Sequence, residues 1–333
     1  MPKTMASVTS PVSLTIVVLT YNEERNLSAC LESVAGWAGE IFVVDSGSTD
    51  HTVAIAERYG TKAVMHPFES HASQWNWALR HLPFAYEWAL CLDADQRVTP
   101  ELREELCGLF GVGPESVRRQ ARLEAVDGFY IKRRQIFRGR WIRHGGYYPK
   151  YLLKLFRHAR GWSDEKELVD HHFYVSGKSS RLDADLLEDN QNESDILLWV
   201  QKHLGYAARQ AREELLRQRG GTAWNIKPSL FGTPDQRTLW LKRLWSRLPL
   251  YVRPCLYFFY RYVLRLGFLD GKQGFLFHFL QGFWYRLLVD VVLDDLRHGR
   301  EPGVDQERTT FLADWGISPS GTGTARGSRH QST

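Results

Sequence analysis

With 333 residues, 43% of them hydrophobic, the chain can bury one large α/β core and still carry a smaller appendage. Its formal charge of +5 favours anionic partners, a class that spans nucleotide diphosphates, membrane phospholipids and nucleic acids. The four cysteines, Cys30, Cys91, Cys107 and Cys255, form no CxxC pair, which excludes a zinc or disulfide framework and fits a reducing cytoplasm.

Residues 14–19 and 41–44 are continuous, largely β-branched apolar runs, the pattern of strands buried on both faces of a parallel sheet. The first is far too short to cross a bilayer and follows no signal-like segment, so secretion is not expected. Between the two, residues 24–37 place Leu27, Leu31 and Val34 at helical spacing, and after Asp50 a second helical face carries Val53, Ala56 and Tyr59. A strand over 61–65, a helix over 70–81 and a strand over 88–92 continue the alternation. It predicts a Rossmann-like, doubly wound, mostly parallel sheet with ligands at the carboxyl ends of its strands. Composition shifts after Leu182: residues 196–218 read as a helix, 240–296 concentrate aromatics and arginines, and the last thirty or so look like a disordered tail. The expected division is a catalytic domain over 11–190, a helical region over 191–299 and a tail over 300–333.

Asp93-Ala94-Asp95 follows the strand over 88–92, and side chains two apart in extended backbone point the same way. Both carboxylates can meet one Mg2+ or Mn2+, cations that prefer oxygen ligands and are commonly shared with substrate phosphates. An Asx turn or helix cap before Pro100 is the competing reading. Two further strand ends tip the balance, because Thr20-Tyr21-Asn22-Glu23-Glu24 and Asp45-Ser46-Gly47-Ser48-Thr49-Asp50 add acidic and hydroxyl groups to the same edge.

The motifs TYNEERNL, VVDSGSTD and LDAD, in this order and spacing, resemble family 2 glycosyltransferases, a large inverting family of GT-A fold. HGGYYP at 144–149 and GFLDGKQG at 267–274 extend the likeness to the bacterial lipopolysaccharide-core and exopolysaccharide branch. The resemblance implies that Thr20, Tyr21, Glu23, Asp45 and Asp93 bind a nucleotide-sugar donor, with Asp45 on the base, and that Asp93 and Asp95 hold the metal. For Asp45 a turn-stabilising role before Gly47 stays open. Gln74 is preferred to Asn76 as a further donor contact, since spacing of two does not share a helical face. Gln96 departs from the glutamate that many relatives carry there.

An inverting transfer needs a group to take the acceptor hydroxyl proton opposite the leaving diphosphate. The resemblance places it in the acidic run 162–172, where Asp170 is favoured, then Glu167, with His171 as base or as a metal ligand. Arg143, His144, Tyr147 and Tyr148 form an expected acceptor loop, in which aromatic faces stack on sugars and arginine binds phosphate. Over 240–296, Arg253, Arg261 and Arg265 interrupt one apolar stretch, and His278, Arg286 and Asp290 the other. Neither is expected to span. Interfacial membrane association is preferred, with packing or a homo-oligomer interface as alternatives. The expected protein is therefore a glycosyltransferase, peripheral on the inner face of the cell membrane, that moves sugar, from UDP first, to a glycolipid or polyprenol-linked saccharide. No nucleic-acid motif is present. A catalytically silent nucleotide-sugar-binding or membrane scaffold protein on the same fold is the alternative, disfavoured because Asp93 and Asp95 are both retained.

Overall fold

The structure, a computed structural model, describes residues 11–111, 116–165, 172–219 and 227–300. Four parallel strands, β1 (Val12–Thr20), β2 (Ala38–Asp45), β3 (Lys62–Met65) and β4 (Trp88–Asp93), lie in the order β3-β2-β1-β4. The apolar runs are continuous because both faces are covered. Leu14, Ile16 and Val18 pack with Leu27, Leu31 and Val34 of α1 (Leu27–Val34) and with Leu102 and Leu106 of α4 (Pro100–Phe110). Val17 points the other way, towards Trp75 and Leu79 of α3 (His71–His81). Helix α2 (Thr52–Arg58) joins β2 to β3. Ser70 caps α3 by accepting from Ser73 N–H, and Thr99 caps α4 from Leu102 N–H with Pro100 in the first turn.

Register fixes the functional edge. Thr20 sits beside Asp45, and Leu19 beside Asp93, so three strand ends finish level.

The same sheet continues through β8 (Lys150–Arg157), antiparallel to β4, then β6 (Gly128–Phe137), β11 (Ser179–Glu188) and β5 (Gln96–Val98). Helix α5 (Ser116–Glu124) precedes β6, and β7 (Arg140–Trp141) folds back on it. A two-stranded ribbon, β9 (Gly161–Ser163) with β10 (Phe173–Val175), stands apart. The α/β GT-A architecture expected from the motifs is present, with a mixed second half that periodicity did not show. Strand β6 reads as charged in its middle because Arg133 pairs with Glu188 and Arg134 with Asp185 on β11.

A helical region follows. Helix α6 (Ile196–Gln218) has the bounds expected from sequence. Beyond it come α7 (Pro234–Trp245), α8 (Val252–Phe259) running into a π-helical turn at Tyr260–Leu264, α9 (Gly271–Phe277) and α10 (Tyr285–Arg297). Tyr285, Val289 and Leu293 of α10 pack on Ala207 and Ala211 of α6. Arg253, fully buried, bridges Glu214 of α6 and Asp290 of α10. Helical structure is continuous over Gly267–Arg297, 31 residues that are long and apolar enough to cross a membrane by length and composition, with 39% of the apolar window buried. The interrupting charges do not shorten it, since Asp290 is neutralised inside the bundle and His278 is buried.

Candidate functional site

The loops after β1 and β2 are bonded to each other before any ligand is considered. Asp45, 4% exposed, accepts from Thr20 Oγ1 at 2.9 Å, Gly47 N–H at 2.9 Å, Ser48 N–H at 2.8 Å and the Ser48 hydroxyl. Four donors fill the lone-pair sites of one carboxylate. Gly47 takes φ +87°, the left-handed turn that this wrap requires. Ser48 Oγ then accepts from Asn22 N–H, and Asn22 Oδ1 from Thr49 N–H, both at 2.8 Å. Asp45 and Thr20 thus build the turn at the crevice floor, and Tyr21, 50% exposed, stands at its lip. Gln74 is equally engaged: its amide donates to Ser46 Oγ and to the His66 carbonyl, both at 3.1 Å, beneath the same loop. Asn76 holds β9, donating to the Ser163 carbonyl and accepting from Ser163 N–H.

Carboxylates converge one layer further in. Asp93 Oδ2 accepts from Lys154 Nζ at 2.8 Å. Lys154 is 4% exposed on β8 and lies over the rings of Trp75 and Phe173. Gln96 explains its own departure from glutamate: its carbonyl accepts from Asp93 N–H at 3.1 Å while its amide donates to Glu188 Oε2 at 2.9 Å, a donation that a glutamate cannot make. Burial, then the charges of Glu188, Asp93 and Glu23, push the Asp95 carboxyl well above the usual carboxylate range. Burial likewise raises Glu23, against the pull of the Asn26 amide, which donates to it at 2.7 Å.

Among the described residues no three His, Cys, Asp or Glu groups are arranged to hold a metal. Asp93 and Asp95 nevertheless fit a hard divalent cation, which takes one or two carboxylates and completes its shell with phosphate and water. The anionic crowding around Asp95 is what such a charge would relieve.

Residues that sequence reasoning missed close the crevice. The 189–193 segment is tied to the β1 and β4 loops: Asp189 N–H donates to the Asp95 carbonyl at 3.0 Å, Gln191 N–H to Asn26 Oδ1 at 2.8 Å, and Asn192 Nδ2 to Glu23 Oε2 at 3.1 Å. Glu193 pairs with Lys202 of α6 at 2.8 Å. Burial works against the Lys202 charge, but Glu193, Tyr206 and Asp95 outweigh it and hold the ammonium above the ordinary lysine range. Lys154 had one legible signal, a single lysine inside the apolar run Tyr151-Leu152-Leu153-Lys154-Leu155-Phe156.

The expected acceptor residues form one loop after β7. His144 is bound to Asp270, Tyr147 lies edge-on to Phe277 with ring centroids 4.5 Å apart, and Tyr148 donates to Asp185 Oδ1 at 3.0 Å. Arg143 lies over the Trp141 ring. The two glycine motifs are therefore in contact, which spacing alone did not reveal. Glu188 links loop to crevice, since Arg133 pairs with it at 3.0 Å from the strand that leads to the loop. The base candidates Glu167, Asp170 and His171 lie outside the described residues. Beside them, Asp164 is buried and Glu165 accepts from Asn76 Nδ2 at 2.9 Å.

Residues 15–170 match the family model of Glycosyl transferase family 2. Those residues, under half of the 333, form a domain similar to family 2 glycosyltransferases. Its strand-end motifs are the crevice just described, and Glu188, Glu193 and Lys202 lie beyond the matched residues. The chain is 32% identical over 177 residues to the lipopolysaccharide core biosynthesis glycosyltransferase LpsC of Rhizobium meliloti, covering 50% of this chain and 58% of LpsC. It is 36% identical over 104 residues to an uncharacterized glycosyltransferase of Rickettsia conorii, covering 31% and 36%. The glycosyltransferase domain thus matches only part of each relative's length. Among solved structures, the mannosyltransferase PcManGT of Pyrobaculum calidifontis, in complex with GDP-Man and Mn2+, shares 15% identity over 86% of this chain and 88% of its own, at TM-score 0.43. TarS 1–349 of S. aureus, in complex with UDP, shares 17% over 86% and 92%, at TM-score 0.41. Likenesses of that order carry no information about substrate.

Proposed function

We propose that the protein transfers a sugar with inversion from a nucleoside-diphosphate sugar, UDP-linked in the first instance, to a lipid-linked saccharide of the bacterial cell surface, lipopolysaccharide core being the first candidate. One observation carries the reading: Asp93 and Asp95 share the strand-end crevice with Glu23 and the Asp45 turn, inside a family 2 domain. Tyr21 offers its exposed ring to the base, and the Asp45 turn shapes the floor beneath it. A divalent cation held by Asp93 and Asp95 would supply neutralisation of the departing diphosphate. Lys154 fixes the Asp93 carboxylate from behind, and Lys202 adds positive charge at the crevice mouth. Asp170, with Glu167 and His171 as the other candidates, removes the acceptor hydroxyl proton as that oxygen bonds the anomeric carbon and the carbon–phosphate-oxygen bond breaks.

The helical region over 191–299 keeps the protein at the inner membrane surface, a reading supported by the exposed Phe, Leu and Val side chains of 252–279 and by the basic character of 237–272. Hydrolysis of a panel of UDP- and GDP-sugars by the purified protein, with and without Mn2+ or Mg2+, tests the donor part. Turnover of at least one sugar that disappears with chelator is expected; a full panel left intact while nucleotide is still bound would favour the silent scaffold reading instead.

A further inference from the structure

The acceptor loop and the C-terminal helices are joined at one seam. His144 N–H donates to Asp270 Oδ2 at 2.8 Å and its ring Nδ1 lies 2.7 Å from Oδ1, a two-point grip on a carboxylate that is 2% exposed. Gly145 N–H donates to the Arg265 carbonyl at 2.9 Å, and the Arg261 guanidinium lies 3.9 Å from the Tyr147 ring centre. The fit has no slack. Gly145, at φ +68°, faces the His278 ring so closely that a Cβ there would stand 2.0 Å from it, and a Cβ on Gly267 would stand 2.6 Å away. The loop therefore cannot shift without the elbow between α8 and α9.

The outer side of that elbow is apolar and uncovered: Phe259, Leu264, Leu266, Phe268, Leu269 and Phe275 are all exposed, Leu264 by 61%. Along the stretch of sequence that forms it, exposed charge has one sign. Between residues 236 and 289 the only carboxylate is Asp270, bound inside the seam, whereas Arg237, Arg243, Arg247, Arg265 and Lys272 are spread along the same stretch. Two copies meeting through this face would oppose like charges, while an anionic bilayer accepts both the apolar tip and the cations.

We infer that an anionic phospholipid bilayer seats on the α8–α9 elbow and that this contact orders the acceptor loop over residues 143–148. This rests on the membrane part of the proposed function and adds regulation to it, because the acceptor site becomes competent where a lipid-borne acceptor is found. Asp270 is then a positioning residue, acting through His144.

The full-length protein is sedimented with phosphatidylcholine vesicles, with and without phosphatidylglycerol, while hydrogen exchange follows the His144 and Gly145 amides. Expected are sedimentation with the anionic vesicles only, weakened by salt, and slowing of exchange over 143–148 by roughly tenfold or more on binding. Leu264→Glu with Leu269→Glu should abolish sedimentation, and Lys272→Glu, which leaves the apolar tip intact, should weaken it. Asp270→Asn should sediment as the wild type does and lose most of the slowing. Wild-type protein that ignores anionic vesicles, or a Leu264/Leu269-dependent dimer in their place, overturns the docking. Sedimentation with unchanged exchange overturns the coupling. Donor hydrolysis without vesicles is read in parallel, so failure of the glycosyltransferase reading is distinguished from failure of this one.

Discussion

Lys154→Met separates the electrostatic role of Lys154 from its packing role. The side chain is 5% exposed, and its ammonium lies 2.8 Å from Asp93 Oδ2 and stands 5.9 Å and 5.6 Å from the Trp75 and Phe173 ring centres. Methionine keeps most of the stem's contacts and deletes the charge. A hydrogen bond between ionised groups contributes roughly 1.5–3 kcal/mol, and a desolvated cation over a ring about 0.5–2 kcal/mol. Two terms offset these: lysine no longer has to be desolvated, and the Asp93 side chain, 28% exposed, regains water. The net loss should be about 1–3 kcal/mol, read as a lower urea midpoint at unchanged slope. In the Lys154→Met background, Asp93→Asn should cost about 1–2 kcal/mol less than it does alone. Donor KM should rise in Lys154→Met, because the carboxylate loses the partner that aims it. A stability change within about 0.5 kcal/mol, together with additive double-mutant energies, would refute the argument that Lys154 holds Asp93.

Asp45→Ala removes four acceptor contacts at once and should destabilise the domain by about 2–4 kcal/mol while raising donor KM more than it lowers kcat; a stable variant with normal KM would contradict its place under the crevice. Asp170→Asn should retain donor binding and lose most turnover, whereas a dead Glu167→Gln beside an active Asp170→Asn would move the base to Glu167. His278 is fully buried, and burial, then Arg261, lowers its pKa from 6.5 to about 4, with Asp270 pulling the other way. Because the folded pKa lies below the unfolded one, its contribution, on the order of 3 kcal/mol, is complete above about pH 6.5 and is lost as pH falls towards about 4. His278→Phe should flatten the stability curve across that window, and an unchanged curve would show that other groups set it.

The parallel half of the fold was legible because burial on both faces leaves an unbroken apolar signature, as in Val17 and Val18, which face opposite layers. Helix α6 was legible for a different reason, a long segment rich in charge and alanine, and the structure adds its cap, Asp195. Strands β6 and β11 were not. Their charges are neutralised across the sheet, Arg134 with Asp185 and Arg133 with Glu188, and single-chain periodicity does not register a partner about fifty residues away. At the strand ends, motif spacing pointed to Asp93, Asp95 and Asp45 but not to what each carboxylate is bonded to. The four donors around Asp45 answer to the turn-stabilising reading and occupy the acceptor sites that a direct contact to the base would need. Lys154, Lys202 and Glu188 reach the crevice from β8, α6 and β11, elements far along the chain, so only the fold brings them there.

The proposed function stands or falls on binding of a metal–nucleotide diphosphate by Asp93 and Asp95. Its most direct test is calorimetric titration of UDP and of GDP into wild-type protein and Asp95→Ala, each with Mn2+ and with chelator. Mn2+-dependent binding of at least one nucleotide to the wild type is expected, with a loss of at least roughly a hundredfold in Asp95→Ala, about 2.7 kcal/mol, and an unchanged unfolding midpoint. Equal affinity in the two proteins, or binding indifferent to Mn2+, would contradict it.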